Sequence, residues 1–161
     1  MKCNHGMINR DKIDFWGVNN RLQPFQAVIA AKELKNLTKI INKRNVNAKI
    51  YDRNLRKIKN VNLPDRPKGY LETFALYMGL FKKRDKLKKY LYMNGIETKV
   101  HYPTPLHLQK PGKKLGYRNG SFPISEKQSK ELLTLPVHQY LNKDQINYVI
   151  KTIKKFYKKY D

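Results

Sequence analysis

From Pro24 onward, apolar residues recur at helical steps over a longer stretch than a small domain needs. Ala27, Ala30, Leu34, Leu37, Ile41, Ala48, Tyr51 and Leu55 follow one another mostly at three- and four-residue intervals, with one gap across Arg44 and Asn45. Proline is tolerated in the first turn, where its missing N–H has no intrahelical partner anyway. A continuous helix of this extent is roughly 45 Å long, at about 1.5 Å per residue. The whole chain has 161 residues, enough for one ordinary core. A helix that long therefore implies either a spine linking two domains or a surface packed against a partner subunit.

The segments around it set the expected architecture. Residues 1–23 read as irregular, with Gly6 and Gly17 as breaks and Asn19-Asn20 as a turn. Residues 60–69 contain Pro64, Pro67 and Gly69 and read as a linker. Residues 70–81 are a strand candidate with Phe74, Leu76, Met78 and Leu80 on one face. Residues 82–93 form a short basic helix that turns Leu87, Tyr90 and Leu91 inward. Residues 108–122 read as loop, broken by Pro111-Gly112, Gly116 and Asn119-Gly120. Ser125 to Gln128 fits a capping box before a helix reaching Leu133, and 135–137 is a short extended piece. Asn142 caps a last helix with Ile146, Val149, Ile150, Ile153, Phe156, Tyr157 and Tyr160 on one face. From residue 68 on, strands and helices alternate in a way that predicts an α+β layer with the helices on one face of a small sheet.

The run Gly95-Ile-Glu-Thr-Lys-Val-His-Tyr-Pro-Thr-Pro-Leu-His107 carries the chemistry. Asn94-Gly95 is a helix stop, because glycine takes the left-handed conformation without a Cβ clash. Residues 96–102 then read as a short strand. Pro103 and Pro105 fix two φ angles and hold Tyr102 and Thr104 extended. His101, Tyr102 and His107 are thereby spaced almost rigidly, as a binding site needs; the same run would also serve as the end of an edge strand. A metal centre does not follow. No pair of the four histidines and single cysteine has the close spacing of a zinc motif, and Cys3 and His5 lack two further ligands.

The net charge of +23 invites a nucleic-acid reading. The lysines, however, recur through 82–89, 110–114 and 151–159 rather than in one tract, and they travel with the asparagine, isoleucine and tyrosine that AT-rich codons supply. Arginine, whose fork reads bases and phosphates, is sparse beside lysine. Charge thus favours anionic small molecules, phosphates included, over a nucleic-acid partner. One cysteine excludes an internal disulfide framework, and no apolar run spans a bilayer, so a soluble cytoplasmic protein without membrane contact is expected.

Gly17-Val-Asn-Asn-Arg-Leu-Gln-Pro-Phe-Gln-Ala27 and the 95–107 run together resemble two signatures of the DegT/StrS-type nucleotide-sugar aminotransferases. Asn4-His5-Gly6, Arg84-Asp-Lys-Leu87, Gly120-Ser-Phe-Pro-Ile-Ser-Glu126 and Leu133-Thr-Leu-Pro136 fall in that family's order and spacing. The resemblance covers nearly the whole chain. It implies a fold-type-I scaffold on which pyridoxal phosphate, held as a Schiff base by a lysine, serves as the electron sink for moving an amino group from an amino acid to a keto-sugar nucleotide. It also implies a homodimer, or a complementing large-domain subunit, working in amino-sugar or surface-polysaccharide synthesis.

By the same resemblance, residues 1–59 correspond to the end of the large domain with its spine helix, and 60–161 to the small C-terminal α+β domain. The Schiff-base lysine and the aspartate that pairs with the pyridine nitrogen lie upstream of Asn4-His5-Gly6 in the family. No residue here inherits a catalytic role, and the chain by itself is expected to be inactive. Asn19 corresponds to a residue that reaches the cofactor phosphate of the other subunit, and Arg21 could pair with a phosphate or a substrate carboxylate; each could instead only support the loop. His101, Tyr102 and His107 would line the sugar-nucleotide pocket. A non-catalytic partner that lends Asn19 to a full-length paralogue is the alternative from another class.

Overall fold

The computed structural model describes residues 7–9, 12–13 and 22–160. The chain divides into two compact units, Met1–Lys39 and Ile40–Asp161. In the first, β1 (Met7–Asn9) pairs antiparallel with β2 (Lys12–Ile13), so part of the stretch expected to be irregular is a small hairpin. The division falls inside α1 (Pro24–Leu55), a helix of 32 residues. Its bounds are those that the apolar periodicity predicts. The two halves of its apolar stripe have different fates. Ala30, Leu34 and Leu37 are exposed, whereas Ala48, Tyr51 and Leu55 are fully buried.

The second unit is built on an antiparallel sheet in the order β3 (Val61–Asn62), β4 (Tyr77–Phe81), β5 (Leu132–Leu135). Lys99 extends it by an isolated bridge to Thr134, with reciprocal backbone hydrogen bonds of 3.2 and 2.8 Å. The expected strand over 96–102 is reduced to that single bridge. The expected linker over 60–69 begins instead with β3, whose Val61 is buried along with Leu63.

The register of β4 is one residue off from the expectation. Tyr77, Gly79 and Phe81 point inward, while Met78 and Leu80 are half-buried on the opposite face. Strand geometry starts only at Tyr77; Tyr70 and Leu71 before it are exposed. Two aromatic rings drive this choice, because each removes more apolar area from water than Met78 or Leu80 would. Tyr77 can be buried because its hydroxyl donates to Asp52 Oδ1 at 2.7 Å. Gly79 between the rings leaves room for Leu63, whose Cδ2 would lie 2.6 Å from an added Cβ.

Against this inner face pack the end of α1, α2 (Arg84–Met93) through Leu87 and Leu91, and α5 (Lys143–Tyr160) through Ile146, Ile150, Ile153 and Phe156. Arg84 donates to the Leu132 carbonyl at 2.9 Å and ties the start of α2 to β5. Gly95, at φ 72°, ends α2 in the left-handed conformation expected of it. Asn142 and Gln145 cap α5 reciprocally, Gln145 N–H donating to Asn142 Oδ1 at 2.9 Å and Asn142 N–H to Gln145 Oε1 at 3.0 Å.

Two expectations in the 108–133 region need correction. The stretch expected to be loop holds a 3-10 turn (Leu106–Leu108) and α3 (Lys110–Lys114), so Pro111-Gly112 opens a helix rather than breaking one. The helix α4 (Pro123–Glu131) starts before Ser125, its N-cap Phe122 making no side-chain capping bond, and Leu133 already belongs to β5. Gln128 of α4 lines a small pocket with Met78 and Leu80. This places α4 on the outer face of the sheet, whereas the sequence put every helix on one face.

Candidate functional site

The outer face of the sheet positions the His101–His107 run. Thr134, on β5 opposite Met78, is a buried hydroxyl in an otherwise apolar strand. Its Oγ1 lies 2.9 Å from His101 Nδ1 and orients the imidazole. A buried hydroxyl needs such a partner, since leaving it unpaired costs about 1–3 kcal/mol. The Tyr102 ring stands edge-on to His101 at 5.7 Å and is 74% exposed. Leu106 is also exposed.

His101 stands between two concavities. One, of about 420 Å³, is lined by His101, Tyr102, Thr104, Gln109, Gln128 and Ser129 among others. The other, of about 770 Å³, runs from His101 and Lys99 to the start of α5, where Asn142, Gln145 and Tyr148 line it. The first concavity offers mixed donors and acceptors with an aromatic ring on its rim, a chemistry suited to sugar hydroxyls and a nucleobase face.

His107 has a different environment. It is buried, its Nε2 lies 2.9 Å from Glu126 Oε1, and its ring packs on Phe122 at 4.9 Å. Glu126 also accepts from Gly120 N–H through both oxygens, at 2.9 and 3.1 Å, and from Phe122 N–H at 3.3 Å. The Gly120 hydrogen bond, then the one from His107, hold the Glu126 carboxyl below its usual range. The expected pair His101 and Tyr102 is thus brought together at a pocket, while His107, engaged by Glu126, lines a separate concavity of about 530 Å³ with Leu115, Tyr117 and Phe122. Asn19 and Arg21 lie outside the described residues.

Thr134 and Glu126 escaped the sequence reading as site residues. The signal for Thr134 was a lone hydroxyl within Leu132-Leu-Thr-Leu135, and for Glu126 an acid six residues after a left-handed glycine. Among the described residues there is no cluster of histidine, cysteine, aspartate or glutamate able to hold a metal. The lysine at the rim of the larger groove, Lys99, is exposed and pairs with Glu97 at 3.6 Å. Among those residues no helix is long and apolar enough to cross a membrane.

This arrangement of spine helix, small sheet and outer-face loop is that of the C-terminal part of a fold-type-I aminotransferase. DesV from S. venezuelae superposes with a TM-score of 0.88 at 27% identity, covering 95% of this chain and 41% of that one. A DegT DnrJ EryC1 StrS aminotransferase from Brucella abortus does so with a TM-score of 0.83 at 30% identity, over 94% and 40% of the two chains. The DegT/DnrJ/EryC1/StrS aminotransferase family matches residues 1–154, and the chain belongs to it.

Among curated relatives, a pleiotropic regulatory protein of Geobacillus stearothermophilus is 37% identical over 88% of this chain and 39% of its own length. The dTDP-3-amino-3,4,6-trideoxy-alpha-D-glucose transaminase of Streptomyces venezuelae is 27% identical over all of this chain and 42% of its own length. The chain therefore spans about 40% of the length of the relatives it matches. The family's cofactor is pyridoxal phosphate, and the PLP form of Spr1654 from Streptococcus pneumoniae shares the fold with a TM-score of 0.84 at 21% identity.

Proposed function

We propose that these residues form the spine helix and small domain of a pyridoxal-phosphate-dependent aminotransferase acting on a keto-sugar nucleotide. The observation that carries the reading is the His101–Tyr102 pair, fixed to the sheet by Thr134 and presented at the mouth of a pocket of mixed polar and apolar lining in a member of this family. On this reading residues 1–59 complete a large domain and 60–161 are the small one, with the end of α1 shared into the small domain's core. His101 and Tyr102 contact the sugar nucleotide directly, and His107 shapes the same wall from behind. Asn19 and Arg21 face the cofactor phosphate of a second subunit, as amide and guanidinium donors suit a phosphate oxygen. An amino acid supplies the amino group, and the assembly is a cytoplasmic dimer or a complex with a large-domain subunit.

The 161-residue polypeptide on its own then neither holds the cofactor as a Schiff base nor transaminates, because by resemblance that lysine belongs to the large domain. The test is co-expression with the large-domain portion of a relative, followed by cofactor retention and transamination. The complex should bind pyridoxal phosphate, and Asn19→Ala should weaken retention about tenfold or more, the scale of one hydrogen bond to a charged acceptor. A borohydride-trapped, stoichiometric adduct on one lysine of the isolated polypeptide would contradict the reading. Undiminished retention in Asn19→Ala would remove that residue from the site.

A further inference from the structure

The excursion between the two site histidines and α4 is closed by one carboxylate. Residues 102–106 are pinned at both ends, by His101 on Thr134 and by His107 on Glu126. Pro103 and Pro105 fix φ between those pins. After the second pin the chain makes the 3-10 turn and α3. The α3 backbone comes so close that an added Cβ on Gly112 would lie 2.6 Å from His107 Cα and carbonyl oxygen. It then turns through Gly116 and Gly120, both in the left-handed region, and returns to Glu126. There the carboxylate gathers Gly120 N–H, Phe122 N–H and the His107 imidazole. Its side chain is only 12% exposed, and that of His107 7%. One anion shielded from water thus ties the start of α4 to His107 and to the returning chain at Gly120 and Phe122. The tip residues Tyr102 and Leu106 touch little and are 74% and 85% exposed. Their position is set by the pins, together with the hydrogen bonds that Leu108 N–H gives the Pro105 carbonyl and Gln109 N–H the Leu106 carbonyl, and not by packing of their own.

We propose that Glu126 is the positioning residue of the substrate wall: acting through His107, it sets where Tyr102 and its neighbours stand at the sugar-nucleotide pocket. The role assigned to that wall rests on the aminotransferase reading above; the mechanical role of Glu126 does not. Glu126→Gln keeps the volume and one acceptor oxygen but removes the negative charge and the second oxygen that Gly120 N–H also reaches.

The experiment has two arms. In the first, amide hydrogen exchange is followed in the full 161-residue chain for Glu126→Gln and for His107→Gln, which cuts the link to the tip and leaves Glu126 its two backbone donors. Glu126→Gln should raise exchange about tenfold or more at Gln109, Gly120 and Phe122, the scale of losing a charge-assisted hydrogen bond. The core amides of α2 and α5 should stay protected. His107→Gln should raise exchange at Leu108 and Gln109 while Gly120 and Phe122 stay protected. Unchanged exchange in Glu126→Gln, or a uniform rise that includes α2 and α5, overturns the proposal.

In the second arm the co-expressed transaminase is assayed with a dTDP-linked keto-sugar and with glutamate. Glu126→Gln should raise KM for the sugar nucleotide about tenfold with little change in the glutamate half-reaction, and Glu126→Asp should recover part of it. An equal loss in both half-reactions refutes positioning of the substrate wall. A wild-type complex that ignores sugar nucleotides while the first arm behaves as expected refutes the aminotransferase reading and leaves the clamp standing.

Discussion

Removing the Tyr77 hydroxyl should show how β4 grips the end of α1. Tyr77 is fully buried on β4, and its hydroxyl donates to Asp52 Oδ1 at 2.7 Å, near the end of α1. The other carboxylate oxygen takes Arg66 Nε at 3.2 Å, and Arg66 also pairs with Glu72 at 2.9 Å. Tyr77→Phe leaves the ring and its 4.9 Å contact with Tyr51 in place, so the loss is the hydrogen bond alone. A hydrogen bond to a charged acceptor contributes roughly 1.5–3 kcal/mol. The Asp52 side chain is 17% exposed, so water recovers part of the lost solvation. The lower end, about 1.5 kcal/mol, is therefore expected. At about 2–4 °C per kcal/mol for a chain of this size, the melting temperature should fall by about 3–6 °C.

Tyr51→Phe is the comparison, because that hydroxyl donates at 2.9 Å to the neutral Pro136 carbonyl. It should cost nearer to 1 kcal/mol, the ordinary net value between uncharged groups. Urea unfolding followed by far-ultraviolet circular dichroism would measure both, and a double-mutant cycle of Tyr77→Phe with Asp52→Ala would isolate the pair. A coupling of about 1 kcal/mol is expected. A value below about 0.3 kcal/mol, the scatter between independent sites, would refute the argument.

Gly112→Ala should destabilise by about 1–3 kcal/mol, because the new Cβ meets backbone atoms of Leu106 and His107 that cannot swing aside. It should shift the His107 imidazole resonances, whereas Gly116→Ala, with nothing within 4 Å of its Cβ, strains only its own left-handed backbone and should leave them in place. The Glu126 carboxyl titrates below its usual 4.5, so its contribution is fully present above that pH and is lost as pH falls through the lowered folded value. Protection of Gly120 and Phe122 amides, corrected for intrinsic exchange, should therefore drop below about pH 4.5 in the wild type and be flat there in Glu126→Gln; an identical profile in both would remove Glu126 as the cause.

Features that depend on neighbours along the chain were legible in the sequence. The three- and four-residue spacing defined α1 with its ends, since a helix satisfies its own backbone and declares its buried stripe by period alone. The Asn142 cap, the left-handed Gly95 and the inward stripe of α5 are likewise local. The α+β class followed from the order of elements. Other features were decided only when distant segments met. Whether Tyr77 or Met78 points inward depends on Asp52 being there to take a hydroxyl, 25 residues away. The strand over 96–102 shrank to one bridge because pairing needs a partner edge, and β5 offers one only at Thr134. His101 and His107 look equivalent in sequence, yet one is held by a hydroxyl and the other is buried against a carboxylate, a difference set by what returns beside each, β5 with Thr134 or α4 with Glu126. A period in the sequence says which side of an element is apolar; what that side meets, and therefore which polar groups can be buried with it, is decided by the tertiary structure.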